Sequence, residues 1–475
     1  NKHEGRVDTA VQSLEHLVTA YPGFSQAWYN LGVCYGESGK RRQAISCYQS
    51  CLRNAPDHVD AMWNLADALR LDEQFQSALH YLVKLTTLEP YCHMGDLYHR
   101  KAVCEVCLGN VQQAIDDFQR ALRTGTSDPH VTRWESSHAF LLAESFEQGW
   151  QAYEHRFAAV SGSGVTKHNF DIPQWRGQPL DAKRLCVHAE QGLGDQIMFA
   201  SILPEIIEAA DEVLLAVHPA LVDLFRAAFP ESTVLAHSPQ RPATLSAPAS
   251  IDYQVAIGSL PYFRRRHRSD FSAVSAHAYL HSTDRRREVF SRVLDASIRN
   301  RRSRPCIGIM WGANPCHGLP SAARRSVQKS LPVQQLTVLA EAYPNAAFVS
   351  LQNHEVASEA GACEALDLID CHRYLNDMAD TAALISHVDL VISVDTSVAH
   401  LAAAMGKPVW VLLMAHADWR WGLQATQCRW YPRARLYRQS RQGDWSDVLS
   451  AIADDLKRKG VADSDSSRAT FSNLQ

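Results

Sequence analysis

Two short stretches of this chain gather the residue types that handle hydroxyls and anions. The first is Glu190-Gln191-Gly192-Leu193-Gly194-Asp195, placed directly after an apolar run and before a helical pattern. Gly192 and Gly194 permit a tight turn and the close approach of a ligand. Asp195 falls at the helix start, where a carboxylate is also a favourable N-terminal charge. Two readings stand for it, helix capping and ligand chemistry. The stretch is not a full dinucleotide fingerprint and does not point to NAD. The second is Val394-Asp395-Thr396-Ser397-Val398-Ala399-His400, ending in Gly406-Lys407-Pro408. A strand stops, hydroxyls follow and a helix begins. Backbone N–H groups, the helix dipole and the Thr396 and Ser397 hydroxyls can hold a diphosphate, stabilising a leaving nucleotide without a metal. Simple capping by Asp395 or Thr396 is the alternative. Further candidates follow strand ends: Trp311, Gly312 and Asn314; Arg325, which can neutralise phosphate or is a surface charge; and Asp418-Trp419-Arg420, where Trp419 could stack on a base or sugar. His188 reads as a satisfied strand-end histidine.

The elements that must position these residues alternate. Strand-like segments at 184–189, 212–217, 233–236 and 253–257 are interleaved with helical patterns at 195–209 and 219–229. A second set has strands at 306–311, 346–351, 390–394 and 409–413, with helices at 331–343, 380–388 and 398–405. Strands alternating with helices mean parallel, doubly wound sheets. Two such lobes in succession suggest one site in the cleft between them. The arginines between them (Arg264, Arg265, Arg266, Arg268, Arg285, Arg286, Arg287) read as a solvated helix face, a loop, or a rim for an acidic donor, with a nucleic-acid patch as the weaker reading.

The first third has a different period. Ala10, Ala44, Ala78 and Ala114 recur at spacings of 34, 34 and 36. The best copy holds Trp28, Leu31, Gly32, Tyr35, Ala44, Tyr48, Cys51 and Pro56. Small residues at a helix crossing let two helices approach, and large ones fill the holes between hairpins. Residues 1–22 supply only the second helix of a hairpin, so further repeats are expected upstream. Residues 128–158 continue helical, with one apolar helical pattern over 136–157. Asn30 and Asn64 occupy the same place in successive hairpins, where an amide can both donate to and accept from a peptide backbone.

Composition excludes several classes. Net charge is −4, which argues against a nucleic-acid surface. No uninterrupted apolar stretch reaches the ~18 residues of a membrane span. The twelve cysteines are scattered. Cys104-x-x-Cys107 has no second ligand pair, so free buried thiols and a reducing cytoplasm are expected, with no metal.

These motifs carry four resemblances. The array resembles tetratricopeptide repeats, and Asn30 and Asn64 resemble the asparagine ladder of O-linked N-acetylglucosamine transferase. The Gly-Asp loop followed by Leu203-Pro204, with Asp395, Thr396, Ser397, His400 and Ala402, resembles the ADP-heptose:lipopolysaccharide heptosyltransferase family. Gly149-Trp150-x-x-Tyr153-Glu154-x-Arg156, Trp311-Gly312-x-Asn314-Pro315, Arg325-Ser326, Ser350-Leu351-Gln352, Asp418-Trp419-Arg420-Trp421 and Trp430-Tyr431-Pro432 resemble tetratricopeptide-fused bacterial glycosyltransferases, some of which modify flagellin. The resemblance implies an α superhelix followed by an α/β GT-B fold of two Rossmann-like lobes. The expected divisions are 1–127 (repeats), 128–180 (capping helices and linker), 181–302 (acceptor lobe), 303–440 (donor lobe) and 441–475 (helix and disordered tail). It further implies a metal-independent, inverting transferase without a cofactor. Asp195 would be the general base, with Gly192 and Gly194 in the acceptor loop. Trp311, Gly312, Asn314, Arg325, Asp395, Thr396, Ser397, His400 and Trp419 would face a nucleotide-sugar donor. The acceptor would be a Ser or Thr of a protein held by the repeats. A lipopolysaccharide or other glycan acceptor, or a non-catalytic scaffold, are the alternatives.

Overall fold

The computed structural model describes residues 2–475 except 90, 160–164, 166–169, 238–250, 272–277, 299–303, 314–325, 353–365, 417, 424–425 and 466–475. The chain forms two compact units. One is Asn1–Ser163 with His416–Trp419, and the other is Gly164–Ala415 with Arg420–Gln475.

The first unit is a run of antiparallel helix pairs. Helix α1 (Lys2–Ala20) stands before the pairs α2 (Ser25–Glu37) with α3 (Arg41–Asn54), α4 (Val59–Leu71) with α5 (Phe75–Leu85), and α6 (Gly95–Cys107) with α7 (Val111–Thr124). The repeat spacing has a visible cause at Gly32. A Cβ there would lie 2.6 Å from the Tyr48 ring, so only glycine lets α2 and α3 cross at that distance. The helical pattern read over 136–157 falls on a hairpin of α8 (Pro129–Leu142) and α9 (Phe146–Tyr153), closed by a 3₁₀ turn. Asp128 caps α8 through the N–H groups of His130 and Val131, and Glu144 breaks the run at φ 57°. Gly149 is again a close approach, 2.7 Å from Leu141 Cδ2 for an added Cβ. Trp419 is buried in this unit, its ring edge-on to Trp150 (5.5 Å) and Tyr153 (5.9 Å).

The second unit contains two fully parallel sheets among the described residues. The first, in the order β3-β2-β1-β4, uses β1 (Arg184–His188), β2 (Glu212–Val217), β3 (Thr233–Ala236) and β4 (Tyr253–Ala256). The second, in the order β10-β9-β8-β5-β6-β7, uses β5 (Cys306–Met310), β6 (Ala347–Ser350), β7 (Ile369–Asp370), β8 (Leu390–Val394), β9 (Val409–Leu413) and β10 (Ala434–Arg438). The central strands are buried throughout, which is why they read as unbroken apolar runs rather than alternating ones.

Helices α10 (Leu193–Phe199), α11 (Leu203–Ala209), α12 (Val222–Ala228), α13 (Leu260–Arg264) and α14 (Asp284–Ser297) accompany the first sheet in sequence. Helices α15 (Thr337–Ala342), α16 (Met378–Ser386), α17 (Ser397–Ala404) and α18 (Ser446–Asp465) accompany the second. The last of these extends past Gly460, where a disordered tail was expected; its inner face supplies Val448, Leu449, Ile452 and Leu456 to the core of the six-stranded layer.

Candidate active site

The Glu190–Asp195 loop is braced by its neighbours. Glu190 is 3% exposed, and its Oε1 accepts the Gly258 N–H at 3.0 Å. A Cβ on Gly258 would overlap that oxygen at 2.2 Å, so the glycine exists to admit the carboxylate. Gln196 on α10 donates to the Gln191 carbonyl (2.9 Å) and accepts the His218 N–H (3.0 Å). Gly192, immediately before α10, has ordinary extended backbone at φ −65°. Gly194 is required instead by proximity, since a Cβ would stand 2.9 Å from His400 Cδ2. The two sequence motifs therefore meet in space.

Asp195 is the third residue of α10. Its Oδ1 lies 2.8 Å from Arg420 Nε and 2.7 Å from Arg420 Nη2, both donors. Its Oδ2 has no protein partner among the described residues. On the other side, the capping reading does not hold. Asp395 pairs with Lys329, and its Oδ1 accepts the Trp421 indole N–H at 2.8 Å. The Thr396 hydroxyl faces Ser393 Oγ at 3.2 Å, and no side chain caps α17. Among the described residues no Thr396 side-chain bond caps the start of α17, which lies beside a helix dipole and a lysine.

His400 is 3% exposed and acts as a strut. Its Nδ1 is 3.0 Å from Tyr431 Oη, and its ring stacks on Trp421 at 4.7 Å and 28°. Burial, chiefly, pushes the Tyr431 phenol well above its ordinary pKa, so it stays protonated and able to donate. Trp311 lies inside the apolar core, with an indole N–H that meets no acceptor among the described residues. The backbone of Gly312 is paired at both N–H (3.1 Å) and C=O (3.2 Å) with the buried Gln352 amide. Ser397 is half-buried at the start of α17. Asn314 and Arg325 lie outside the described residues. Sequence reasoning missed Lys329 and Trp421 and gave Arg420 no role. All three reach these carboxylates by tertiary folding; Arg420 and Trp421 lie in the Asp418–Trp421 motif, which did not say what they contact, and no quoted motif contains Lys329.

Elsewhere, His188 is hydrogen-bonded to Gln254 at 3.0 Å. The arginines are not all solvated. Arg265 is 3% exposed on Glu205, and Arg286 joins Asp223, Asp377 and Asp380. In the repeats, Asn30 is exposed and accepts from Gln26 Nε2 (3.1 Å), while Asn64 is half-buried with Tyr29 Oη at 3.4 Å. Arg100, at the same place in the third hairpin, lies over the Trp63 ring and on Asp67. Burial pushes the Cys104 thiol up to about 12, and the described cysteines are all free. Glu89, Cys92 and His93 bring three ligand-type atoms within 4.8 Å of one another in the helical unit. Among the described residues no helix is long and apolar enough to cross a membrane.

Residues 302–439 match the family model "Glycosyltransferase family 9 (heptosyltransferase)", and residues 25–58 match the tetratricopeptide repeat model. The chain is 27% identical to Protein FlbA of Caulobacter vibrioides over 95% of this chain and 76% of that protein. A stretch of 127 residues is 28% identical to BBSome complex member BBS4 of Mus musculus, over 27% of this chain and 24% of that protein. A solved glycosyl transferase family 9 structure from Veillonella parvula aligns over 60% of this chain and 100% of that one, at 13% identity and a TM-score of 0.42. The chain joins tetratricopeptide repeats to a glycosyltransferase family 9 (heptosyltransferase-like) region.

Proposed function

We propose that this glycosyltransferase moves a sugar from a nucleotide-sugar donor to a Ser or Thr hydroxyl of a protein held in the repeat groove, flagellin-like acceptors included. The observation that carries the reading is the meeting of the two loops, Gly194 against His400, which puts Asp195 and the uncapped start of α17 in one place. Asp195 Oδ2 takes the proton of the acceptor hydroxyl as that oxygen attacks the anomeric carbon from the face opposite the leaving group. The nucleoside diphosphate leaves toward the α17 N–H groups, Thr396, Ser397 and Lys329, which offset its charge without a metal. Asn30 and Asn64 offer a polypeptide two side-chain amides in order along the repeats. The description of the matching family favours a second reading, in which the acceptor is a lipopolysaccharide or other glycan.

A thermal-shift panel of nucleotide sugars identifies the donor, since a ligand of the folded state raises apparent stability. Mass spectrometry of acceptor polypeptides incubated with that donor is expected to show addition of one glycosyl unit by the native enzyme and none by Asp195→Ala. Equal transfer by the variant removes Asp195 as the base. Transfer to a glycolipid that survives deletion of residues 1–125 favours the glycan reading. A panel in which no nucleotide sugar binds favours a scaffold.

A further inference from the structure

Arg420 and Trp421 are neighbours in the chain and reach two different carboxylates. Arg420 places Nε and Nη2 on one oxygen of Asp195, and Trp421 places its indole N–H on Asp395 Oδ1 at 2.8 Å. Asp195 stands on α10, beside the four-stranded sheet, and Asp395 stands between β8 and α17 of the six-stranded one. Both contacts are sheltered, with side-chain exposures of 17% for Asp195, 22% for Arg420 and 12% for Asp395. Trp421 is 1% exposed and is pinned against His400, which itself touches Gly194.

Two charge-assisted N–H donors on one carboxylate oxygen restrain the direction of that carboxylate. With Oδ1 occupied, Oδ2 is the oxygen left for a substrate. It lies toward Gly192, where an added Cβ would stand 3.6 Å from it, an ordinary contact. A lysine could supply the charge at position 420 but not the paired donors.

We propose that Arg420 is a positioning residue for Asp195, and that Arg420-Trp421 is a crosspiece setting the acceptor-side and donor-side carboxylates in register. Arg420 then governs turnover, and Trp421 governs the donor loop. This rests on the reading of Asp195 as the base and of the Asp395 loop as the donor site.

The test uses the full chain. Calorimetry with ADP-, GDP-, UDP- and CMP-sugars selects the donor probe, and turnover is read as nucleotide release in the presence of acceptor. Arg420→Ala is expected to lower kcat about 100-fold, the scale of a misplaced reacting group, with donor Kd within about twofold of the native value. Arg420→Lys is expected to recover part of kcat, and Asp195→Ala/Arg420→Ala to be no slower than Asp195→Ala alone. Trp421→Phe keeps the stack on His400 and loses only the Asp395 bond. It is expected to weaken donor Kd about tenfold while kcat stays within about threefold.

The proposal is overturned by a donor Kd that falls as far as kcat in Arg420→Ala, which would make Arg420 a donor ligand, or by losses that multiply in the double variant. If Arg420→Ala does not fold by circular dichroism, Arg420→Lys and Trp421→Phe carry the same kcat-against-Kd split. An inactive Asp195→Ala beside a fully active Arg420→Ala defeats the positioning role alone. A fully active Asp195→Ala defeats the base assignment, and the proposal with it.

Discussion

Replacing Gly194 by alanine tests how the two loops meet. The added Cβ would stand 2.9 Å from His400 Cδ2, 3.5 Å from Nε2 and 3.7 Å from Cγ. Carbon pairs settle at about 3.5–4.0 Å, so the ring or α10 must retreat by about 0.6 Å or more. The ring is held on both sides, by Tyr431 at Nδ1 and by Trp421 across its face. Overpacking of this kind costs about 1–3 kcal/mol, and exchanging glycine for alanine inside a helix returns about 0.5–1 kcal/mol. A net loss of up to about 2.5 kcal/mol is expected.

The assay is thermal and denaturant unfolding of the full chain, read alongside turnover. His400→Ala removes the ring, so Gly194→Ala should cost nothing in that background. Gly192→Ala is the control: its nearest atom is Asp195 Oδ2 at 3.6 Å, an ordinary contact, and its backbone suits any residue. A Gly194→Ala penalty of equal size with and without the His400 ring refutes the reasoning.

Three further outcomes follow from single contacts. Lys329→Met takes the lysine from Asp395 and keeps the Trp421 bond, and nucleotide-sugar affinity by calorimetry is expected to fall about tenfold or more; an unchanged Kd removes Lys329 from the donor site. Gly32→Ala drives a methyl into the Tyr48 ring and is expected to lower the melting temperature of the helical unit, with Tyr48→Leu relieving it; a penalty that persists after Tyr48→Leu refutes the contact. Burial works to raise the Asp67 carboxyl pKa, but Arg70 and Arg100 outweigh it and hold it below the ordinary value. Its stabilisation is therefore full above about pH 4 and is lost as pH falls through the lowered value. Asp67→Asn should lower the unfolding midpoint at pH 7, and the gap should close in acid; a gap that stays constant with pH refutes the ion-pair account.

The parts legible in the chain were those written locally. The 34-residue spacing reports contacts between consecutive hairpins, and the apolar runs report strands buried on both faces. Strand β10 escaped notice because Ala434-Arg435-Leu436-Tyr437-Arg438 alternates in polarity, as an edge strand can. Strand β7 is two residues long and has no period to read. The helix expected over 195–209 is broken at 200–202, where Pro204 lacks the N–H that would continue it.

At the candidate site, Asp195, Asp395 and His400 each lie in a compact motif that the sequence displays. It does not display their contacts. Arg420 is 225 residues from Asp195, Trp421 is 26 from Asp395, and Lys329 is 66 from it. Trp419 shows the converse. A flat aromatic next to site residues suggests stacking on a ligand, yet its ring is buried against Trp150 and Tyr153.

The position of α18 has a consequence for how the protein is made. Val448, Leu449, Ile452 and Leu456 complete the core beneath the six-stranded sheet, and the sheet's own edge, β10, is its last strand in the chain. A ribosome releases the N-terminal part of a chain first, so hairpins such as α2–α3 can close during synthesis, from contacts a few residues apart. The six-stranded layer cannot. Its apolar underside stays open until the segment around Leu456 has left the exit tunnel. Nascent chains stalled before Trp445 should therefore hold a chaperone-binding, protease-sensitive half-lobe beside hairpins that are already folded.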